Sequence, residues 1–187
     1  MNSVEGGIMR IRQATLHDAA AIVALHAKNW QQTYHQSLSA AYLCDQVPQE
    51  RLALWQTRLQ QPAANQRILL AENDGELCGF ACAFGGHDAR WGTYIDNLHV
   101  AANKRRSGVG RHLLAAIAQW NNAVYPALGL YLWTIVINTY AIEFYQACGA
   151  ETQDLDVWHA PDGSVVPVIR LAWSEARGLM RDLDEYQ

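Results

Sequence analysis

Apolar and polar residues alternate from Met9 to Ala14 (MRIRQA), and the period then changes to helical spacing at Ile22, Leu25, Trp30 and Tyr34. The first stretch predicts a strand. The second predicts a helix to about His35, opened by the capping-box pattern Thr15-Leu16-His17-Asp18, in which the Thr15 oxygen can hold a free N–H of the first turn. Ser39 to Leu43 reads as a short helical turn, and Pro48 suits the start of a helix that runs through Leu52, Trp55 and Leu59 to about Gln60. Arg67–Glu72 and Glu76–Phe84 are strand-like runs around Asn73-Asp74-Gly75, a hairpin turn that tolerates positive φ. Gly85 to Gly92 reads as a loop. Tyr94–Val100 is a further strand, and Leu113, Leu114, Ile117 and Trp120 place a helix from Val109 onward. Leu130–Val136 is a strand after a link over 121–129. Asn138–Ala147 is a short helix ending at Gly149, and Thr152–His159 with Val165–Trp173 form a hairpin around Pro161-Asp162-Gly163.

The order β, α, α, β, β, β, α, β, α, β, β predicts one mixed α/β domain over 9–173, a central mixed sheet flanked by helices. Residues 1–8 are expected to be a flexible leader, and 174–187 a polar tail of helical character capped by Ser174. No repeat or low-complexity tract divides the chain.

Composition narrows the function classes. The chain has 187 residues, 50% of them hydrophobic, and a formal charge of -4, which argues against nucleic acid as the main partner. No apolar run approaches the roughly 18 residues of a membrane span, and the N-terminus lacks a signal-peptide pattern. Cys44, Cys78, Cys82 and Cys148 show no CxxC, and no His/Cys cluster has zinc spacing, so no metal is expected. Buried thiols in a reducing cytosol are the expectation, with Cys78 and Cys82 on one face of a strand. A cytoplasmic location follows from that reading, and a homodimer through the C-terminal strand and tail is compatible with it.

The distinctive chemistry lies between Thr93 and Leu114. Lys104, Arg105 and Arg106 crowd together, and Ser107-Gly108-Val109-Gly110 then opens a helix. A glycine turn at a helix start presents unpaired N–H donors and the positive end of the helix dipole, an arrangement suited to a pyrophosphate. A P-loop is excluded because GxxxxGK[ST] is absent. A dinucleotide fold is disfavoured because Leu113 occupies the third glycine position and no βαβ repeat precedes the turn. A coenzyme A pocket needs N–H donors, nearby cations and a strand edge for the pantetheine arm, and all three are present. A plain strand-to-helix turn would explain the glycines but not the basic triplet.

Two motifs carry a family resemblance. Val100 to Gly110 resembles motif A of the GCN5-related N-acetyltransferases (GNAT), with Arg105, Gly108 and Gly110 on the core pattern and Ala102 where a proline is common. Asn138 to Ala150 resembles motif B, Asn-x-x-Ala-x-x-Phe-Tyr-x-x-x-Gly. The resemblance implies a GNAT-like fold and transfer of an acetyl group from acetyl-CoA to a primary amine of a small molecule, amino acid or peptide N-terminus, by direct attack in a ternary complex. It implies pantetheine along Leu98-His99-Val100 and pyrophosphate on the N–H groups of Arg106, Ser107, Gly108, Val109, Gly110 and Arg111, with Lys104 and Arg105 adding charge.

The same resemblance makes Tyr145 a general acid facing the sulfur, against the alternative of an aromatic core residue. Asn138 is either a cofactor contact, a helix N-cap or both. Asp96, in an otherwise apolar strand, is a candidate base acting through water or an anchor for the substrate ammonium. His99 is a weaker candidate, since a strand histidine is more often packed. Trp30 and Tyr34, one turn apart, wall the acceptor pocket or simply pack. The rival readings are an acyl-CoA-binding sensor with the same fold and a nucleotide-binding oxidoreductase.

Overall fold

The computed structural model describes residues 9–175 and Leu179. The expected leader and most of the expected helical tail lie outside the described residues. The strands are β1 (Met9–Gln13), β2 (Gln66–Asn73), β3 (Glu76–Asp88), β4 (Gly92–Val100), β5 (Leu130–Ile135), β6 (Glu151–His159) and β7 (Val165–Trp173). The helices are α1 (Ala19–Tyr34), α2 (Val47–Gln60), α3 (Val109–Val124) and α4 (Thr139–Ala147). The strands form one seven-stranded sheet in the order β1-β2-β3-β4-β5-β7-β6. Among the described residues only β4 and β5 pair in parallel, as expected for strands joined through a crossover helix. The mixed α/β architecture is the one expected from the sequence.

Alternation along β2 builds both cores. Leu69 and Ala71 join the cluster under α3 with Leu113, Leu114 and Ile117. Ile68 and Leu70 join the cluster under α1 and α2 with Ile22 and Trp55. The expected turns form as their residue types demand. Asp74 and Gly75 both take positive φ in the β2–β3 hairpin, and Gly149 takes φ +84° just past α4.

Several expectations are corrected. The expected loop Gly85–Gly92 is mostly strand: β3 continues to Asp88, and the Asp88 carboxylate accepts the N–H groups of Arg90 and Trp91 to close a tight turn before β4. The helical turn expected at Ser39–Leu43 forms, with the Leu43 N–H on the Ser39 carbonyl at 3.1 Å, but it does not stop there: a π-helical turn over Tyr42–Gln46 carries it directly into α2. The link expected over 121–129 is shorter, because α3 extends to Val124. At the first cap the expected capping box forms between Thr15 and Asp18, whose carboxylate accepts the Thr15 N–H at 2.7 Å, and a 3-10 turn over Leu16–Asp18 precedes α1.

Cys78 and Cys82 do not share a face. Ala71 pairs with Gly79 but Glu72 pairs with Leu77, so Cys78 is the extra residue of a bulge. A bulge reverses the alternation beyond it, leaving Cys78 in the α3 core and Cys82 in the α1/α2 core. Both thiols are buried, as is Cys148, whereas Cys44 is exposed. Among the described residues no group of His, Cys, Asp and Glu could hold a metal ion, and no helix is long and apolar enough to cross a membrane.

Candidate active site

The site originates in how little of β4 and β5 pairs. Their parallel ladder is confined to Thr93 with Leu130 and Tyr94 with Tyr131. Glycines allow this close base: a Cβ on Gly92 would lie 2.3 Å from the Gly129 carbonyl oxygen, and one on Gly129 would lie 2.2 Å from that of Trp173. The Thr93 N–H donates to Gly129 O, and the buried Thr93 hydroxyl donates to Asn121 Oδ1. Above Tyr94 the strands part. The β4 backbone from Ile95 to Val100 keeps β3 on one edge and has no strand on the other. A cleft of about 1140 Å³ fills the gap, lined by β4, β5, the turn before α3 and the faces of α1, α2 and α4.

The glycine turn closes one end of the cleft. Gly108 is left-handed at φ +85° and caps α3, and Arg106 takes φ +64°. The His112 N–H reaches the Gly108 carbonyl at 3.1 Å, so the N–H groups ahead of it are those a helix start leaves unpaired. Gly110 is needed for space rather than dihedral freedom, since a Cβ there would lie 3.1 Å from the Phe144 ring. Arg105, Arg106, Gly108, Gly110 and Arg111 line the cleft, as do Leu98, His99 and Val100. Ser107 and Val109 do not line it: the Ser107 hydroxyl donates to the Lys104 carbonyl and the Val109 side chain is core. Lys104 is paired with Glu76 at 3.2 Å, and Arg105 donates to Gln32 Oε1 at 3.3 Å. Donors, cations and a shape without Cβ obstruction suit a pyrophosphate.

The placement of Tyr145 is compatible with either reading of it. It is 8% exposed within the core under α3 and α4, yet it lines the cleft. Burial pushes its hydroxyl well above the usual phenol range, so it stays protonated at neutral pH and can donate. Asn138 also has two roles open to it, since its Oδ1 caps α4 by accepting the Ala141 N–H at 3.3 Å while the side chain lines the cleft.

Asp96 is positioned by a second bulge. Cys82 pairs with Asn97 and Ala83 with Ile95, so Asp96 is the extra residue. Strict alternation would send Asp96 and Asn97 to opposite faces; the bulge lets both meet Arg58 of α2, whose Nη1 lies 2.6 Å from Asp96 Oδ2 and 3.1 Å from Asn97 Oδ1. His99 is a packed histidine. It lies against His26 and Phe80 at ring distances of 4.6 and 5.2 Å, and burial, with Arg105 and Arg51 nearby, pulls it down to about 4. It is neutral at pH 7. Trp30 and Tyr34 both line the cleft and touch Trp158 across it, at 5.9 and 5.8 Å. Burial holds the Tyr34 hydroxyl up at about 12, so it too stays protonated.

Three polar residues of this wall, Asn29, Arg51 and Arg58, and the buried His26 behind it are not among the site residues expected from the sequence. Asn29 donates to the Val100 carbonyl at 3.1 Å and so ties α1 to the upper end of β4. His26 is fully buried, and its Nδ1 accepts the Trp55 indole N–H at 2.8 Å. An indole only donates, so the His26 proton sits on Nε2. Arg51 and Arg58 stand on α2 either side of Trp55, at i, i+4 and i+7, and both line the cleft. The available signal was that spacing, which places two arginines on the helix stripe that carries the buried Trp55.

The comparisons agree with this architecture. The sequence profile described as the acetyltransferase (GNAT) family matches residues 25–150, which include the glycine turn and α4. A protein named as an uncharacterized N-acetyltransferase of Bacillus subtilis is 28% identical over 148 residues, covering 77% of this chain and 81% of its own. The PaiA N-acetyltransferase of Thermoplasma acidophilum, solved in complex with coenzyme A, superposes with a TM-score of 0.62 at 17% identity, covering 86% of this chain and 98% of its own. The yncA protein of Salmonella typhimurium, solved with acetyl-CoA, superposes with a TM-score of 0.63 at 18% identity, covering 89% and 93%. Fold and profile together define an acetyltransferase. The chain belongs to the acetyltransferase (GNAT) family.

Proposed function

We propose that the chain moves an acetyl group from acetyl-CoA to a primary amine by direct attack within a ternary complex. The observation that carries this reading is the bare edge of β4 from Ile95 to Val100 leading into the Gly108 helix start, within one cleft. An extended amide-rich arm can pair with that edge, and its diphosphate can meet the N–H groups of the turn. Binding of CoA and of acetyl-CoA by the two structural neighbours named above supports the same cosubstrate here.

In the proposed reaction the neutral amine attacks the thioester carbon while a β4 N–H stabilises the carbonyl oxygen. The C–S bond then breaks, the Tyr145 hydroxyl gives its proton to the sulfur, and the proton shed by the amine leaves toward Asp96 through water. Arg58 fixes the Asp96 carboxylate for this task. Trp30 and Tyr34 wall the acceptor side. The thiols of Cys78, Cys82 and Cys148, buried in the core, support a reducing, cytoplasmic setting. The exposed Leu155 and Val157 on the edge strand β6 support a homodimer, which sedimentation would reveal as a doubled mass.

The deciding experiment is a panel of primary amines with acetyl-CoA, following release of free thiol. Acetylation of at least one amine is the expected result. Tight CoA binding with no turnover of any amine would overturn it in favour of an acyl-CoA sensor.

A further inference from the structure

We infer that the acceptor is a primary amine that also carries an oxyanion, a carboxylate or a phosphate, and that Arg51 binds that group. The inference rests on the acetyltransferase reading above and names the substrate class for the same cleft.

Arg51 is a weakly paired cation. Its side chain is 16% exposed, and its Nε is buried with no hydrogen-bond partner. Glu50 approaches it only to 3.5 Å, longer than the ~2.7–2.9 Å of a charge-assisted bond. The same Glu50 carboxylate oxygen is already held by the Tyr42 hydroxyl at 2.7 Å. Burying a guanidinium without its hydrogen bonds is costly, so a structure that keeps one is suited to a ligand that completes them.

The surroundings specify where the anion would sit. Arg51 lies over the Trp30 ring at 4.3 Å, and both residues line the cleft. Its charge acts on Tyr34 and His99, and Asp96 and Arg58 in turn act on it. Asp96 does not neutralise this wall, because Arg58 holds it at 2.6 Å. In the cleft lining Arg51 and Arg58 therefore share one carboxylate, Asp96, which Arg58 already holds, while Glu50 from outside the lining reaches Arg51 only at 3.5 Å. The other acidic residues of the lining, Glu143 and Asp156, are at exposed positions on α4 and β6. The phosphates of the cosubstrate have their own cations at Arg105, Arg106 and Arg111, in the turn before α3 and its first turn. Arg51 thus remains for the acceptor. A guanidinium presents a planar fork matched to carboxylate and phosphate oxygens, which discriminates against an uncharged amide.

The inference is tested with matched acceptors in the acetylation assay: glycine against glycinamide, β-alanine and 4-aminobutyrate against their amides, and O-phosphoethanolamine against ethanolamine. In at least one pair the anionic member should be preferred by about 10- to 100-fold in kcat/KM, the value of one charge-assisted bond. The pair that responds tells carboxylate from phosphate. In Arg51→Met that ratio should fall to near one, and Arg51→Lys should retain part of it while KM for acetyl-CoA stays constant in both. Equal rates within every pair in the unaltered protein overturn the inference but leave the transferase reading standing, and this arm needs no variant to fold. If no amine is turned over, the transferase reading fails, and calorimetry of the same anions against the CoA complex decides the anion site. Binding lost in Arg51→Met sustains it, and no binding overturns it.

Discussion

The two ends of the cleft are built by different means. At the cofactor end, a contiguous stretch from Val100 to Arg111 supplies backbone: a left-handed Gly108, a Gly110 with no room for a Cβ, and N–H groups at the start of α3. At the acceptor end, side chains from α1, α2 and β4 converge, with Arg58 meeting Asp96 across 38 positions of sequence and Asn29 meeting Val100 across 71. Backbone chemistry tolerates change in most side chains provided the dihedrals and space are kept. Side-chain chemistry depends on which faces the helices present, and those faces are set by bulges and packing elsewhere. The first end is suited to a constant ligand, and the second can be retuned without altering the fold.

The comparison can be broken at four points. The largest effect is expected where the ends meet: Tyr145→Phe removes only the proposed proton donor and should lower kcat on the order of 100-fold with KM for acetyl-CoA retained, measured by thiol release. An unchanged kcat for every accepted amine would return Tyr145 to a packing role. Next, Gly108→Val forces a β-branched residue to φ +85°, a strain of about 1–3 kcal/mol. The dissociation constant for acetyl-CoA, followed by calorimetry, should rise about tenfold or more while KM for the amine holds. A change confined to the amine would show that the turn is not a separate cofactor device.

A smaller and reciprocal effect is expected at the other end. Arg58→Met should raise KM for the amine several-fold and leave acetyl-CoA binding intact. Combined with Asp96→Asn it should be non-additive, because the two share one hydrogen bond. Strict additivity would uncouple them. The smallest effect is on stability. His99 falls from 6.5 to about 4 on folding, and burial depresses His26 in the same direction. The unfolded chain therefore takes up protons that the folded chain refuses as pH falls below about 6.5. Stability should be full above that pH and decline as pH approaches 4, seen as a Tm lower by a few degrees. A Tm that is flat across this window would mean that the acceptor wall admits a protonated histidine.

The corrected elements share a cause. Gly85 to Gly92 looked like a loop because glycines are read as turns, yet Gly92 is a strand residue whose missing side chain admits the Gly129 backbone. Counting alone places Cys78 and Cys82 on one face, and the bulge at Cys78, next to Gly79, puts them on two. Gly79 stands there because a Cβ would lie 2.7 Å from the His99 carbonyl oxygen, with Val109 and Leu113 of α3 also close. Non-local contacts gave these glycines their meaning.

What the sequence by itself determined is the order of elements, the helix-opening glycine turn, the α4 motif and hence the family, because each is written in local periodicity or in contiguous residues. What only the tertiary structure decided is the acceptor wall. The β4 bulge aims Asp96 and Asn97 at one arginine, β4 and β5 separate after two paired positions beside close-packed glycines, and Arg51 is left over Trp30 with a buried Nε that no hydrogen bond satisfies. The physical reason is that strand register and helix facing are cooperative properties of the packed sheet. A one-residue shift in pairing moves every following side chain to the other face, and no local pattern in the chain records where that shift occurs.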